Sequence, residues 1–168
     1  MAAMTAPNGI IVQPIDYTDP AQGRILVDLL DGYARDPMGG GDPLHDDIKR
    51  NLPSRLASIP HAFSLVAYVD KNPAGLINCF EGFSTFAARP LVNVHDLYVD
   101  SAYRGRGVGK ALLQAAEDEA RRRECCKVTI ECLSGNDVAL GVYKKFVFAA
   151  YELDPEKGSA LFMEKKLN

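Results

Sequence analysis

The sequence runs to 168 residues, enough for one domain of ordinary size and too few for two substantial ones. Apolar residues make up 47% and charged residues 24%, which excludes a mainly disordered chain, and the 14 glycines and 10 prolines follow no period, which excludes collagen-like and low-complexity classes. A net charge of -3, from 19 Lys plus Arg against 22 Asp plus Glu, offers no concentrated positive field, so neither nucleic acid nor a membrane surface is expected as a partner.

Residues 1–8 are small and polar and are expected to form a flexible N-terminus, with a single domain over 9–168. Ile10, Val12 and Ile15 read as a short strand closed by the turn chemistry of Asp16 to Pro20. From Ala21, the spacing of Ile25, Leu26, Leu29, Leu30 and Tyr33 predicts an amphipathic helix that stops near Asp36, before Pro37 and Gly39-Gly40-Gly41. That glycine run is a plain loop or a substrate-side lid. Asp46 to Ile59 predicts a second helix, broken or kinked at Pro53. Phe63 to Val69 and Ala74 to Phe80 read as a strand pair turned at Lys71-Asn72-Pro73, and Gly82 to Ala88 as a linking segment. Leu91 to Val99 is a further strand. The stripe of Val108, Leu112, Leu113, Ala116 and Ala120 marks Gly105 to Arg123 as the strongest helix. Strands are expected at Lys127 to Leu133, Val147 to Leu153 and Ala160 to Lys166, with a short helix from Asn136 to Phe146. The alternation argues a mixed α/β sheet.

The four cysteines, Cys79, Cys125, Cys126 and Cys132, form no Cys-x-x-Cys pair and have no His cluster beside them, so no metal is expected. Met1 to Asn8 lacks the basic start and apolar run of a signal peptide, and no stretch reaches the ~18 to 20 apolar residues of a membrane span. The expected compartment is a reducing cytoplasm.

Arg104-Gly105-Arg106-Gly107-Val108-Gly109-Lys110 follows a strand and opens a helix. Alternate glycines let backbone N–H groups face a ligand, the helix start adds partial positive charge, and Arg104, Arg106 and Lys110 bring cations to the same place. The chemistry suits a pyrophosphate. Lys110 is followed by Ala111, so the hydroxyl of a P-loop is missing, and the glycines do not fit the dinucleotide-binding spacing. A glycine-rich turn with an Arg-lined surface is the other reading of these residues.

Arg104-x-x-Gly107-x-Gly109 resembles the Arg/Gln-x-x-Gly-x-Gly/Ala motif of the GNAT acetyltransferase superfamily, and Asn136, Ala139 and Tyr143 resemble the Asn…Ala…Tyr helix that follows its fifth strand. The resemblance implies an α+β fold: a mixed, mostly antiparallel twisted sheet of six or seven strands, helices on both faces, and a splay between the family's strands 4 and 5. It implies acetyl-CoA as cosubstrate, bound by Arg104, Gly105, Arg106, Gly107, Val108, Gly109 and Lys110 around the pyrophosphate, by the strand end Leu97, Tyr98 and Val99, and by Asn136 and Tyr143. A backbone N–H of Tyr98 or Val99 is the expected oxyanion donor. Tyr143 is expected to protonate the departing sulfur. A homodimer is also implied.

Gly75 to Leu113 is most similar to the spermidine/spermine (diamine) acetyltransferase branch, which carries Glu where His95 stands. His95 is the candidate base, since an imidazole works near neutral pH, although the exchange removes a charge that would attract a polycation. Strict alternation would point Asp96 and Tyr98 away from His95 unless a bulge intervenes. The family has Gly at the position of Val147, so the turn there is expected to differ. Substrate-side candidates are Tyr33, Glu81, Phe83, Phe86 and Asp96. The expected activity is N-acetylation of a small primary amine, polyamine- or amino-acid-like; acetylation of a protein lysine or N-terminus, and a non-catalytic acyl-CoA sensor, are the competing readings.

Overall fold

Helix α1 (Pro20–Arg35) begins where its chemistry dictates: Asp19 accepts from the N–H of Ala21 at 2.7 Å, and Pro20 fills a first-turn position that needs no donor. In the computed structural model, which describes residues 4–6, 9–152, 154, 156, 158 and 160–167, the chain forms two compact units, Met1–Ile130 and Glu131–Asn168.

The first unit is built on a six-stranded sheet in chain order, β1 (Met4–Thr5), β2 (Ile11–Pro14), β3 (Ala62–Val69), β4 (Asn72–Ser84), β5 (Arg89–Val99) and β6 (Val128–Ile130). Every neighbouring pair is antiparallel except β5 and β6, which are parallel because α3 (Val108–Arg122) carries the chain across. On one face α1 and α2 (Asp46–Ala57) bury Leu26, Val27, Leu29 and Leu56 against Val66 and Leu76. Each fully buried leucine there contributes about 1.5–3 kcal/mol. The other face belongs to α3. A Cβ at Gly75 would lie 2.7 Å from the Tyr98 carbonyl oxygen and 3.0 Å from Val108, so only glycine lets β4, β5 and α3 approach this closely. Because Gly75 and Leu76 point to opposite sides of β4, α3 and the α1–α2 pair lie on opposite faces.

Several boundaries differ from those expected. Met4 and Thr5 pair with Val12 and Ile11 rather than fraying. Helix α2 runs through Pro53, for which Gly23 of α1 leaves room. Strand β4 extends to Ser84 because its register with β5 continues to Arg89, which leaves residues 85–88 as the turn in place of the longer linking segment.

The second unit holds α4 (Asp137–Lys145), capped by Asn136. The strands expected at Val147 to Leu153 and Ala160 to Lys166 are absent among the described residues. A strand needs a ladder, and although Ala160 donates its N–H to the Tyr151 carbonyl at 3.1 Å, no ladder forms there. Leu153 lies outside the described residues.

Candidate active site

The sheet opens at β5. Strand β6 pairs with β5 only over Val92, Asn93 and Val94, set against Val128, Thr129 and Ile130, and beyond Val94 no strand lies on that side among the described residues. Within the β4–β5 ladder Asn78 faces Asp96 while Cys79 faces Val94, so His95 is an extra, unpaired residue: a bulge. It resets the alternation. His95 meets the Phe80 ring edge-on at 5.6 Å, Asp96 accepts from Asn78 Nδ2 at 2.9 Å, and Tyr98 packs with Phe80 against the α1–α2 core. His95, Asp96 and Tyr98 therefore share the α1 face.

Hydrogen-bonding direction also alternates along β5. The Asp100 N–H donates to Ala74 at 3.0 Å, so Tyr98 turns its own N–H toward β4, and Leu97 and Val99 turn theirs to the open side. This corrects the expectation for Tyr98: the N–H groups free to meet an oxyanion are those of Leu97 and Val99.

Beyond β5, Asp100 caps a single 3-10 turn, Ser101–Tyr103. Gly105 and Gly107 follow with φ of 77° and 91°, left-handed values that a side chain disfavours. No side chain caps α3, and its first internal bond runs from the Ala111 N–H to the Gly107 carbonyl at 3.0 Å. The N–H groups of Val108, Gly109 and Lys110 are thus left for an anion or solvent. Arg106 lies over the Tyr103 ring at 5.5 Å and Lys110 is exposed. Arg104 is diverted. Its Nε donates to the Val99 carbonyl at 3.0 Å, its Nη2 to Asp36 at 2.7 Å, and its backbone N–H is turned to the Ser101 carbonyl. It braces the loop against the end of α1, and its hydrogen bond holds the Asp36 carboxyl below the usual carboxylate range.

On the α1 face the Tyr33 and Tyr98 rings stand 6.0 Å apart, and burial pushes the Tyr98 hydroxyl's pKa upward. Glu81 does not join them. It points to the α3 side and pairs with Arg123 at 3.1 Å, because strand parity puts it on the face of Cys79, opposite that of Phe80. Phe83 and Phe86 sit exposed at the far end of the β4–β5 hairpin, since Phe83 pairs with Pro90 while the loop follows Val99. Asp31, on α1, is taken by Lys49, Arg35 and the Leu44 N–H; burial opposes them, yet these bonds hold its carboxyl at about 2. The sequence reading missed Ser64 and Asn78, whose signal is a polar residue inside an otherwise apolar strand.

In the second unit Asn136 Oδ1 accepts from the Ala139 N–H at 3.1 Å, so its carbonyl is used as the cap of α4. Tyr143 is half-buried, with its ring 6.0 Å from Phe148. Val147 adopts φ of 65°, in the left-handed region that favours glycine, so the side chain bears the strain.

The sequence profile described as Acetyltransferase (GNAT) family matches residues 26–148, which contain both the open strand and the glycine loop. The chain belongs to the GNAT acetyltransferase family. Among curated relatives, it is 35% identical over 83 residues to the N-alpha-acetyltransferase RimI of Mycobacterium tuberculosis, covering 48% of this chain and 51% of that one. It is 30% identical over 89 residues to an uncharacterized N-acetyltransferase of Methanocaldococcus jannaschii, covering 52% of this chain and 39% of the relative. The matches thus span about half the length of these relatives, or less. Among solved structures, an aminoglycoside acetyltransferase from an uncultured soil metagenomic sample superposes with a TM-score of 0.76 at 18% identity, covering 96% of this chain and 99% of the other. A ribosomal-protein-alanine N-acetyltransferase from Brucella melitensis gives 0.71 at 18% identity, covering 94% and 99%. These likenesses establish the GNAT fold.

Proposed function

We propose that this GNAT protein transfers the acetyl group of acetyl-CoA directly to a primary amine of a small molecule, polyamine- or amino-acid-like. The observation that carries the reading is the bulge, which gathers His95 and Asp96 on one sheet face beside Tyr98 and the open edge of β5. The free N–H groups of Val108, Gly109 and Lys110, with the cations of Arg106 and Lys110, suit a pyrophosphate. Bound acetyl-CoA supplies an activated thioester. Along the open edge the N–H of Leu97 or Val99 stabilises the developing oxyanion, worth ~3 to 4 kcal/mol for a preformed donor. Asp96 holds the acceptor's ammonium and His95 takes its proton, which frees the nitrogen lone pair. The nitrogen bonds to the acetyl carbon as the carbon–sulfur bond breaks; Tyr143, by its motif, gives its proton to sulfur and is restored by the second proton, which the acylated nitrogen sheds as it becomes the amide. By family analogy the same reading treats residues 9–168 as one catalytic domain that works as a homodimer in the cytoplasm.

Acetyl-CoA at 100 times its dissociation constant should add ~2.7 kcal/mol of stability, seen as a rise in thermal midpoint. CoA release is then measured with spermidine, sisomicin, glucosamine 6-phosphate and a peptide beginning with alanine. The expected result is turnover of a small amine, lost in Tyr143→Phe with the thermal shift kept. No shift at millimolar acetyl-CoA overturns the reading. A shift with no CoA release makes the protein a sensor, and turnover of the peptide alone makes it a protein acetyltransferase.

A further inference from the structure

On the sheet face under α1 and α2 the buried polar residues are Ser64 and Asn78, and they lie in one line with Tyr17 and Asp96. Tyr17 Oη lies 2.8 Å from Ser64 Oγ, Ser64 Oγ lies 2.6 Å from Asn78 Oδ1, and Asn78 Nδ2 lies 2.9 Å from Asp96 Oδ2. Ser64 and Asn78 are 2% and 4% exposed.

The line has a direction. An ionised Asp96 only accepts, so Asn78 must present its NH2 there and its carbonyl to Ser64. The one hydroxyl proton of Ser64 is spent on that carbonyl, so Tyr17 must donate to Ser64. Three donors in series thus run toward Asp96, and each polarises the next. Asp96 Oδ2 is committed, while Oδ1 accepts nothing from the described residues. Stability does not explain the arrangement, because apolar residues of similar shape in place of a buried hydrogen-bonded pair are near neutral or better.

We propose that Asn78, braced by Ser64 and Tyr17, is a positioning residue that fixes the Asp96 carboxylate with Oδ1 free to take the acceptor's ammonium. The inference rests on the acetyltransferase reading above. It assigns to residues on β3, β4 and the turn before α1 a part in amine recognition, and none in acetyl-CoA binding.

The test uses whichever of the four amines above the wild type turns over fastest. Asn78→Asp keeps the side chain's shape but sets a second carboxyl against Asp96. It should raise the amine KM and lower kcat/KM about 100-fold, with the acetyl-CoA thermal shift unchanged. The double exchange N78D/D96N restores one amide facing one carboxylate but moves the charge into the buried position. It should remain as impaired as the single variant, whereas a merely structural pair would recover. Ser64→Ala, which takes the proton from the Asn78 carbonyl, should raise the amine KM about 10-fold through looser positioning, and it decides the matter if Asn78→Asp loses the acetyl-CoA shift and so its fold. Wild-type amine KM in Asn78→Asp or Ser64→Ala, or recovery in the double exchange, overturns the positioning role alone. If the wild type releases CoA with none of the amines, the acetyltransferase reading falls instead, and the role with it.

Discussion

The two faces of the sheet each carry a polar system, and the two are built to opposite plans. Under α3, Glu119 is 3% exposed and accepts from Arg122 at 2.5 Å and Arg123 at 2.6 Å; Arg123 also reaches Glu81 at 3.1 Å and covers the Phe63 ring at 4.4 Å. The two carboxylates and two guanidinium groups balance, so the system closes on itself. Under α1, the line from Tyr17 ends on a carboxylate with an uncommitted oxygen. A closed set of charges holds a helix end to a sheet and has nothing left to offer a ligand. An open line keeps a charge in reserve at the place where the sheet itself opens.

The largest expected effect comes from breaking the closed system. Glu119→Ala leaves Arg123 beside Phe63 with only Glu81, at a cost of about 3 kcal/mol, the low end for orphaning a buried ion because Arg122 can turn to solvent. Chemical denaturation reads the loss, and amine kcat/KM per folded molecule should stay at the wild-type value. If turnover falls with stability intact, the contrast between the faces is wrong. A smaller effect follows from acid. Burial would raise the Glu119 carboxyl, but Arg122 and Arg123 outweigh it and hold it below the ordinary 4.5. A depressed folded value means that the stabilisation is complete above pH 4.5 and is lost as pH falls through the folded value. Glu119→Gln should therefore flatten the loss of thermal midpoint just below pH 4.5. The loss that Asp31 contributes, with its carboxyl held at about 2, should persist at lower pH.

The two systems also differ in how far the sequence reveals them. Glycine spacing and the Val108 to Ala120 stripe are local, so the loop and α3 were legible, as were α1, β3 and the start of β4. Asn78 was not. Its line joins residues 17, 64, 78 and 96, which only the register of β3, β4 and β5 brings together. The side on which His95 and Asp96 meet depends on one extra residue in a ladder, and composition carries no trace of it. Family analogy puts Glu81 on the substrate side, and no local signal shows that its partner is Arg123 under α3. Arg104 belongs to the loop's cations by local sequence, and its partner, Asp36, lies 68 residues away, beyond any local signal.

The smallest expected effect lies outside both faces, in the second unit. After α4, Val147 holds φ of 65° while its N–H donates to the Lys144 carbonyl and that of Phe148 to the Tyr143 carbonyl, both at 3.0 Å. A β-branched residue in that region is strained by roughly 1–2 kcal/mol. Glycine relieves the strain but loses about 0.5–1 kcal/mol more chain entropy on folding. The side chain is 89% exposed, so its removal sacrifices little burial. Val147→Gly should therefore stabilise α4's end by about 0.5–1 kcal/mol, the strain relieved less glycine's entropy. Slower exchange of the amide protons at positions 147 and 148 would register it, and the Glu119 acid limb should not move. Faster exchange would mean that the valine side chain makes contacts worth more than the strain it carries, and that the turn is held by packing rather than tolerated against it.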